Sequence, residues 1–254
     1  MSSKVKKLVY GIFYLVILFL IGWWIYNGFL KPTPTCFDKI QNQSETGVDC
    51  GGPCTPCAVF ELESLRAIDG VKIFSLSSGR AFLLAEVLNP NADYGARTFS
   101  YRFNIYGVLD RPLETVAGTD FIYAGEDKYI FSLDVGSSFQ EIGRVELELK
   151  DPIWEKSKDF ERPLLFSREV ATDVGAKSIK IRGLAANKSS FDLREVDVLG
   201  VIFDRSGNEL FVSKSVISDL KSFEEREFAV SFPDEQGLIS KIDKETTRVF
   251  LYGH

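Results

Sequence analysis

The first regular pattern in the chain is an unbroken apolar run near the N-terminus. Residues 8–30 form a stretch of 23 positions without a charged side chain. A helix of that length spans roughly 35 Å at about 1.5 Å per residue, enough to cross a hydrocarbon core of about 30 Å. The run therefore predicts one transmembrane helix, which makes the lipid bilayer the first partner expected of residues 8–30.

A cleaved signal peptide is the alternative interpretation of this run. Secretory signals have apolar regions of about 7–15 residues, followed by a small-residue cleavage site. The run is longer than that, and the residues that follow it, 31–35, read Lys-Pro-Thr-Pro-Thr. A retained anchor is therefore the prediction.

Flanking charge predicts the orientation of the helix. Three lysines precede the run and one follows it closely: Lys4, Lys6, Lys7 and Lys31. Cytoplasmic flanks carry the excess of positive charge in membrane proteins. The chain is thus predicted to be anchored in the cell membrane, with residues 1–7 as a cytoplasmic tail and the C-terminal domains outside the cytoplasm.

The remainder of the chain has the period-two pattern of β-strands. Residues 98–106 alternate aromatic and polar side chains, which is typical of a strand with one buried face. Residues 195–203 also alternate, with a change of phase that predicts an irregularity at Gly200. Turn signals at 89–91 and 204–208 separate such segments. The pattern predicts a mainly β fold built as sandwiches.

Two stretches of this β region align with two later ones at a common offset of 97 residues. The aligned pairs are residues 104–107 with 201–204 and residues 123–133 with 220–230. With one residue of slack, Asn89 also aligns with Asn187. Agreement of two distant segments on one offset favours an internal duplication.

The resulting domain plan has three parts beyond the helix. Residues 31–58 form a cysteine-rich module, residues 59–160 a first β-sandwich and residues 161–254 a second. The charged segment 158–163, which ends in a proline, marks the boundary between the sandwiches. We expect each sandwich to fold independently.

Composition excludes several function classes. Residues 32–254 carry 26 basic and 36 acidic side chains, a balance that disfavours nucleic acid as a partner. The chain has one histidine, His254, so neither a Ser-His-Asp triad nor a histidine-based zinc site is expected. We predict no catalytic, cofactor-binding or metal-binding residues.

All four cysteines, Cys36, Cys50, Cys54 and Cys57, lie within 22 residues. A zinc ribbon needs two short knuckles, and Cys54 with Cys57 supplies only one C-x-x-C. A redox-active C-x-x-C needs a helix beginning at its first cysteine, which Gly-Gly-Pro before Cys54 disfavours. Outside the cytoplasm, disulfides are the default. We predict two disulfides; three pairings are possible, and those linking Cys36 to the later cysteines constrain the longest loop.

The same stretch contains four side chains with oxygen donors: Asp38, Asn42, Glu45 and Asp49. Calcium favours six to eight oxygen ligands, so these residues are a candidate calcium site. The alternative is a set of Asx turns and polar caps in a short loop.

The pattern C-x-D-x-I-Q-N-x-x-E-T-G-V-D-C-G-G-x-C-x-x-C over residues 36–57 resembles a small cysteine module of secreted and surface-anchored bacterial proteins. Lys39 stands where that pattern has glycine. The module accompanies unrelated domains, so the resemblance implies no activity.

The two β regions also resemble known families. Residues 183–234, with their Asn turn, Gly207-Asn208 and final Phe-Ala-Val, resemble the FxLYD-type domain. The first copy resembles water-stress and late-embryogenesis-abundant type 2 domains. Both resemblances imply small immunoglobulin-like sandwiches outside the bacterial cytoplasm, without catalytic residues.

These observations together predict a non-enzymatic, single-pass protein that presents two sandwiches for binding or cell-envelope assembly to a protein or envelope partner of unknown identity. An accessory subunit of a larger membrane, secretion or pilus complex is the alternative. An extracytoplasmic hydrolase or redox enzyme is disfavoured, because histidines are missing from the body of the chain.

Overall fold

The structure is a computed structural model, and it describes residues 3–30, 35–132, 135–234 and 237–254. Its chain divides into two compact units, Met1–Leu62 and Glu63–His254. Lys31 and the start of the predicted tether lie outside the described residues. The fold is mainly β with one long N-terminal helix, as the sequence predicts.

The first unit contains helix α1 (Ser3–Ile25), followed by a π-helical turn at Tyr26–Leu30. Within Lys6–Gly28 an 18-residue window has a mean hydropathy of 2.3, and none of that window is buried against protein. A water-exposed surface of this kind is unfavourable. By length and composition the helix can cross a membrane, as an anchor or as a signal sequence.

The described residues of the second unit form twelve strands. Its first half holds β1 (Arg66–Ser75), β2 (Ala81–Leu88), β3 (Tyr94–Gly107), β4 (Pro112–Ile122), β5 (Asp127–Ser132) and β6 (Ile142–Lys156). Its second half holds β7 (Leu165–Val174), β8 (Ser178–Asn187), β9 (Leu193–Asp204), β10 (Glu209–Leu220), β11 (Glu225–Pro233) and β12 (Ile242–Gly253). One helical turn, α2 (Leu238–Lys241), precedes β12. Short 3₁₀ turns occur at Val108–Asp110 and Phe139–Glu141 in this unit and at Cys57–Glu61 in the first unit.

The two halves have the same sheet topology. The first half forms the three-stranded sheets β1-β2-β5 and β4-β3-β6, and the second forms β7-β8-β11 and β10-β9-β12, all antiparallel. Each strand of the first half has a counterpart six strands later. This correspondence supports the predicted duplication.

A buried asparagine forms one corner of the first sandwich. Asn89 Nδ2 donates to the carbonyl oxygens of Tyr94 and Tyr123 at 2.7 and 2.9 Å, and Asn89 Oδ1 accepts from Asn91 N. The Asn89 N–H donates to Glu126 O, and Glu126 Oε2 accepts from Tyr123 N. The side chain thereby satisfies one carbonyl at the start of β3 and one directly after the end of β4.

The second sandwich repeats this corner with an offset of 98. Asn187 N donates to Glu224 O, Asn187 Nδ2 donates to Lys221 O, and Glu224 Oε2 accepts from Lys221 N. The aligned asparagines are therefore structural equivalents. The predicted offset of 97 for residues 123–133 is wrong by one residue, because Glu126 corresponds to Glu224.

At the β3–β4 hairpin the predicted offset of 97 is confirmed. Gly107 N donates to Arg111 O, and Asp204 N donates to Asn208 O in the equivalent β9–β10 hairpin. The copies thus differ by single-residue changes in length between their corners and their hairpins.

The two sandwiches pack against each other through the outer faces of sheets β1-β2-β5 and β10-β9-β12. Phe82 and Leu84 point away from the first sandwich's own core and join the core of the second. Their neighbours Leu83 and Ala85 belong to the first core. Strand β2 is consequently buried on both faces. How far either half folds alone stays a prediction.

The irregularity predicted at Gly200 is wrong. Gly200 pairs in regular register with Ser213 on β10 and with Val249 on β12. The apolar pattern changes phase because β9 is buried on both faces along most of its length. Gly200 itself makes room for the opposite sheet, since a Cβ there would lie 2.9 Å from atoms of Ile181 and Phe232.

The linker between the sandwiches is anchored to the first one. The Phe160 ring stacks on Tyr123 with 4.4 Å between centroids, and Arg97 Cζ lies 5.1 Å from the centroid of the same Phe160 ring. Arg162 pairs with buried Glu126 at 3.2 Å. These contacts cover the first corner, whereas Glu224 in the second corner is 30% exposed in its side chain.

Candidate functional site

The four cysteines form two disulfides, as the sequence predicts. Cys36 pairs with Cys54, and Cys50 pairs with Cys57, with Cα–Cα distances of 5.6 and 4.9 Å. Cys36 is linked to the later cluster, the favoured class of pairing. Cys54 and Cys57 belong to different disulfides, so the C-x-x-C does not form a redox pair of its own.

The oxygen donors of the module mostly accept N–H bonds. Asp38 accepts from Ile40 N and from the Asn42 amide, which holds the pKa of the Asp38 carboxyl below its usual range. Both Asp49 oxygens accept from Lys39 N, at 3.0 and 3.1 Å. Buried Glu45 accepts from the N–H groups of residues 42 and 49. This arrangement favours the Asx-turn interpretation over a calcium site.

Two further observations concern the cysteine-rich module. Lys39 has a φ of +62°, the left-handed conformation that glycine adopts most easily, at the position where the bacterial module has glycine. Ligand atoms of Cys36, Glu45 and Cys54 lie within 4.8 Å of one another. Because the two sulfurs are bonded to each other, they are not available as thiolate ligands.

The second unit contains a cleft of about 490 Å³ between its two sandwiches. Its walls come from β3, β4 and β5 of the first sandwich and from β9, β10 and β12 of the second. At about 30 Å³ per water molecule it has room for roughly sixteen waters, well above the space of a single structural water. Clefts between domains are frequent ligand sites.

The base of the cleft is an ion pair at the open edge of the first sandwich. Lys128 Nζ lies 2.5 Å from Asp120 Oδ1 and donates to Phe121 O at 3.1 Å. The same ammonium lies 3.5 Å from the centroid of the Phe121 ring and 5.0 Å from that of Tyr252. The Lys128 side chain is 3% exposed. Burial with a carboxylate, a carbonyl and two rings satisfies the buried ammonium.

The other charges of the cleft wall are also paired. Lys214 Nζ lies 3.1 Å from the Asp197 carboxylate, and Arg97 donates to Glu155. Each of the five acidic, lysine and arginine side chains lining the cleft thus faces an opposite charge. Among the described residues that line it, the cleft has no surplus cation for a phosphate and no free carboxylate pair for a metal ion.

Tyr101 lies across Gly118, its cross-strand partner on β4. A Cβ at residue 118 would be 2.4 Å from the Tyr101 hydroxyl oxygen, so the Tyr101 ring can occupy this position only because residue 118 is glycine. Burial, and then the negative charge of Asp120, raise the pKa of Tyr101. Its hydroxyl therefore stays protonated at neutral pH and can both donate and accept.

Three hydroxyl groups of the cleft are free of protein hydrogen bonds across the described ranges. They belong to Thr98 and Tyr101 on β3 and to Thr119 on β4. Thr115, four residues before Thr119 on β4, differs because its hydroxyl donates to Asn104 Oδ1 at 3.1 Å. The wall of the cleft thus offers unpaired hydroxyls next to aromatic rings.

Sequence analysis did not find this cleft. Its residues come from six strands of two halves, and no short motif joins them. One signal was present in β5, where Lys128 occupies an inward position in phase with buried Ile130. A lysine in the inward phase of an apolar strand requires a buried partner.

His254, the one histidine, also lies at the cleft, where its ring packs against Phe121 with 5.2 Å between centroids. The backbone of His254 pairs with Glu195 on β9 in both directions. The ring has no serine or cysteine nucleophile among its contacts in the described chain.

Comparisons with known proteins add little to this geometry. No protein-family model and no curated protein matches the chain. Among solved structures, a β-glucuronidase from glycoside hydrolase family 2 aligns at 13% identity and a TM-score of 0.20, over 81% of this chain and 26% of that one. This chain thus spans about a quarter of that enzyme, and a TM-score of 0.20 carries no argument about fold or activity.

Proposed function

We propose that the protein is a single-pass membrane protein that presents its two sandwiches outside the cytoplasm to bind a partner of the cell envelope. One observation carries the proposal: the helical stretch Lys6–Gly28 contains an 18-residue window with a mean hydropathy of 2.3 and no buried part. Lipid is the solvent that such a surface requires. The lysines before the helix support a cytoplasmic N-terminus.

The disulfides support the same location, because they persist outside the reducing cytoplasm. With few apolar side chains, the module between residues 35 and 57 gains stability from its cross-links rather than from a core. We propose that it serves as a stiff connection between the helix and the sandwiches. The immunoglobulin-like relationship of the sandwiches and their bacterial origin belong to the same proposal.

We further propose a binding role without catalysis. The cysteines are engaged in disulfides, and the acidic groups of the cleft are paired with lysines. A general base near neutral pH and an activated nucleophile are what most hydrolytic mechanisms require. The cleft instead presents hydroxyls and rings, which are binding groups.

Thiol labelling tests the topology. The full chain is expressed in spheroplasts as Ser206→Cys, in an exposed turn of the second sandwich, or as the matched variant Ser3→Cys at the N-terminal end of helix α1. A membrane-impermeant maleimide should label Ser206→Cys in intact spheroplasts and Ser3→Cys only after lysis, since the native cysteines are bonded. The reverse pattern would overturn the orientation. Loss of the N-terminal residues from the intact mass would overturn the anchor.

A further inference from the structure

We infer that the cleft between the sandwiches is a binding site for a neutral saccharide. The inference deepens the proposed binding role and names the ligand class. It depends on the proposed function only for the idea that the sandwiches bind, because the cleft geometry is independent of membrane topology.

Charge is the first step of the argument. The Lys128–Asp120 pair at 2.5 Å and the Lys214–Asp197 pair at 3.1 Å each combine one positive and one negative charge, so these four side chains give the cleft wall no net charge. A phosphate, nucleic acid or metal ion would have to break one of these pairs and leave its partner without a counter-charge. Removing one partner is strongly unfavourable for the Lys128–Asp120 pair, whose lysine is 3% exposed, and less so for the other pair, because the Lys214 side chain is 40% exposed. A ligand without net charge can bind while leaving both pairs intact.

Hydrogen bonding is the second step. The free hydroxyls of Thr98, Tyr101 and Thr119 each donate one bond and accept others. A wholly apolar ligand would cover these groups without replacing their bonds to water, which costs free energy. A polyhydroxylated ligand can replace those bonds group for group.

Ring surfaces are the third step. Tyr101 and Phe121, both half-buried, contribute ring surface to the wall, whereas Tyr252 is 5% exposed and presents little of its ring. Tyr101 packs across Gly118, which has no side chain, so the Tyr101 ring is already positioned in the unliganded protein. Sugar rings carry apolar C–H faces between their hydroxyls, and an aromatic wall beside hydroxyl groups matches both surfaces. The volume of about 490 Å³ is within the range of small-molecule sites.

Saturation-transfer NMR and isothermal titration on the full chain in nanodiscs test the inference. The probes are the neutral disaccharides cellobiose, chitobiose and maltose, with inorganic phosphate as the charged alternative. At least one disaccharide should bind. Thr119→Val and Tyr101→Phe should each weaken that binding three- to tenfold, the effect of losing one hydrogen bond.

Two further variants separate the cleft from general effects. Thr115→Val lies on the same strand, β4, but outside the cleft, and should leave the affinity unchanged. Gly118→Ala moves the Tyr101 ring and should weaken binding, with its fold checked by circular dichroism. Tyr101→Phe keeps the ring and serves if Gly118→Ala does not fold.

Three results would overturn the inference: binding of phosphate but of none of the disaccharides, binding of none of the four probes, and saccharide binding that the cleft variants leave unchanged. None of these depends on which side of a membrane the sandwiches occupy. Failure of the labelling experiment would revise the topology and leave this site in place.

Discussion

Phe82 of β2 packs against Phe211 of β10, with 5.1 Å between ring centroids, and this contact joins two sandwiches that have the same topology. Phe82 is fully buried and Phe211 is 6% exposed. Each residue projects from the outer face of a three-stranded sheet, the face that an isolated sandwich would leave in water. The pairing favours a single cooperative body over two independent domains.

Truncation of this contact should destabilise both halves together. We expect Phe82→Ala to lower the free energy of unfolding by about 3 kcal/mol, because a fully buried ring is lost. A double-mutant cycle with Phe211→Ala should give a coupling of about 1 kcal/mol. Urea unfolding of the full chain in detergent, followed by circular dichroism and by fluorescence, measures both quantities; all proteins compared carry Trp23→Phe and Trp24→Phe, so that the fluorescence comes from Trp154.

The control for this cycle is Phe223→Ala, since Phe223 is 68% exposed and its loss should change stability by less than about 0.5 kcal/mol. Trp154 lies in the first sandwich, whereas circular dichroism reports on both. Two well-separated transitions in the unmodified protein would contradict a cooperative body and restore the expectation of independent sandwiches.

The linker should resist proteolysis in proportion to its contact with the first sandwich. Phe160→Ala removes the stacking on Tyr123 and should cost about 2 kcal/mol, less than a fully buried ring. It should also speed cleavage by trypsin after Lys158, whereas the bond after Arg162 resists trypsin in both proteins because Pro163 follows it. Mass spectrometry of timed digests locates the cuts. Equal cleavage rates in the two proteins would show that the ring does not hold the linker.

Strands with a single buried face could be predicted from the sequence. Residues 98–106 alternate because only one side of β3 faces the core there, and period two then identifies the strand. Gly200 could not be interpreted this way, because β9 is covered on its outer side by the other sandwich. Local periodicity contains no information on which face a distant sheet will cover.

The candidate functional sites likewise include one part that could be predicted from the sequence and one part that could not. The disulfides are local, since all four cysteines lie within 22 residues, and compartment and spacing were enough to predict them. The cleft depends on register between distant strands, such as Tyr101 opposite Gly118. A single-residue shift would send Tyr101 to the other face of its sheet, and the sequence repeat determined offsets only to within one residue.

Removal of the longer disulfide should loosen the module and leave the sandwiches unchanged. The Cys36–Cys54 bond closes 18 residues, which corresponds to about 3 kcal/mol in the chain-entropy model. We expect Cys36→Ser/Cys54→Ser to expose residues 36–57 to protease while the urea transition of Trp154 keeps its midpoint. Peptide mapping without reduction should recover both predicted cross-links from the unmodified chain. Four free thiols there would contradict the disulfides and the extracytoplasmic location.

The duplicated corners should respond to pH in opposite directions. Burial raises the pKa of Glu126 above the ordinary value of 4.5, although Tyr123 N and Arg162 oppose the effect. In the second corner, the hydrogen bonds from Lys221 N and Arg226 hold the pKa of Glu224 below that value. The same residue type in equivalent positions thus has opposite shifts, because the linker covers only one corner.

The sign of each contribution follows from linkage. The stability gained from Glu126 is present below the ordinary pKa and is lost as pH rises through the raised folded-state value. The stability gained from Glu224 is present above the ordinary pKa and is lost as pH falls through the lowered folded-state value. Thermal melts from pH 3 to 8 of the unmodified chain, Glu126→Gln and Glu224→Gln measure both differences.

The melting temperature of the unmodified protein minus that of Glu126→Gln should fall as the pH rises. The melting temperature of the unmodified protein minus that of Glu224→Gln should rise over the same pH range. Glutamine keeps an acceptor for the backbone N–H at either corner, so the comparison isolates the charge. Differences of the same sign at both corners would mean that burial by the linker does not control the titration of Glu126. Adding Phe160→Ala to both the unmodified protein and Glu126→Gln then provides a direct check. Because Phe160→Ala uncovers the corner, it should reduce the pH dependence of the difference in melting temperature between these two proteins.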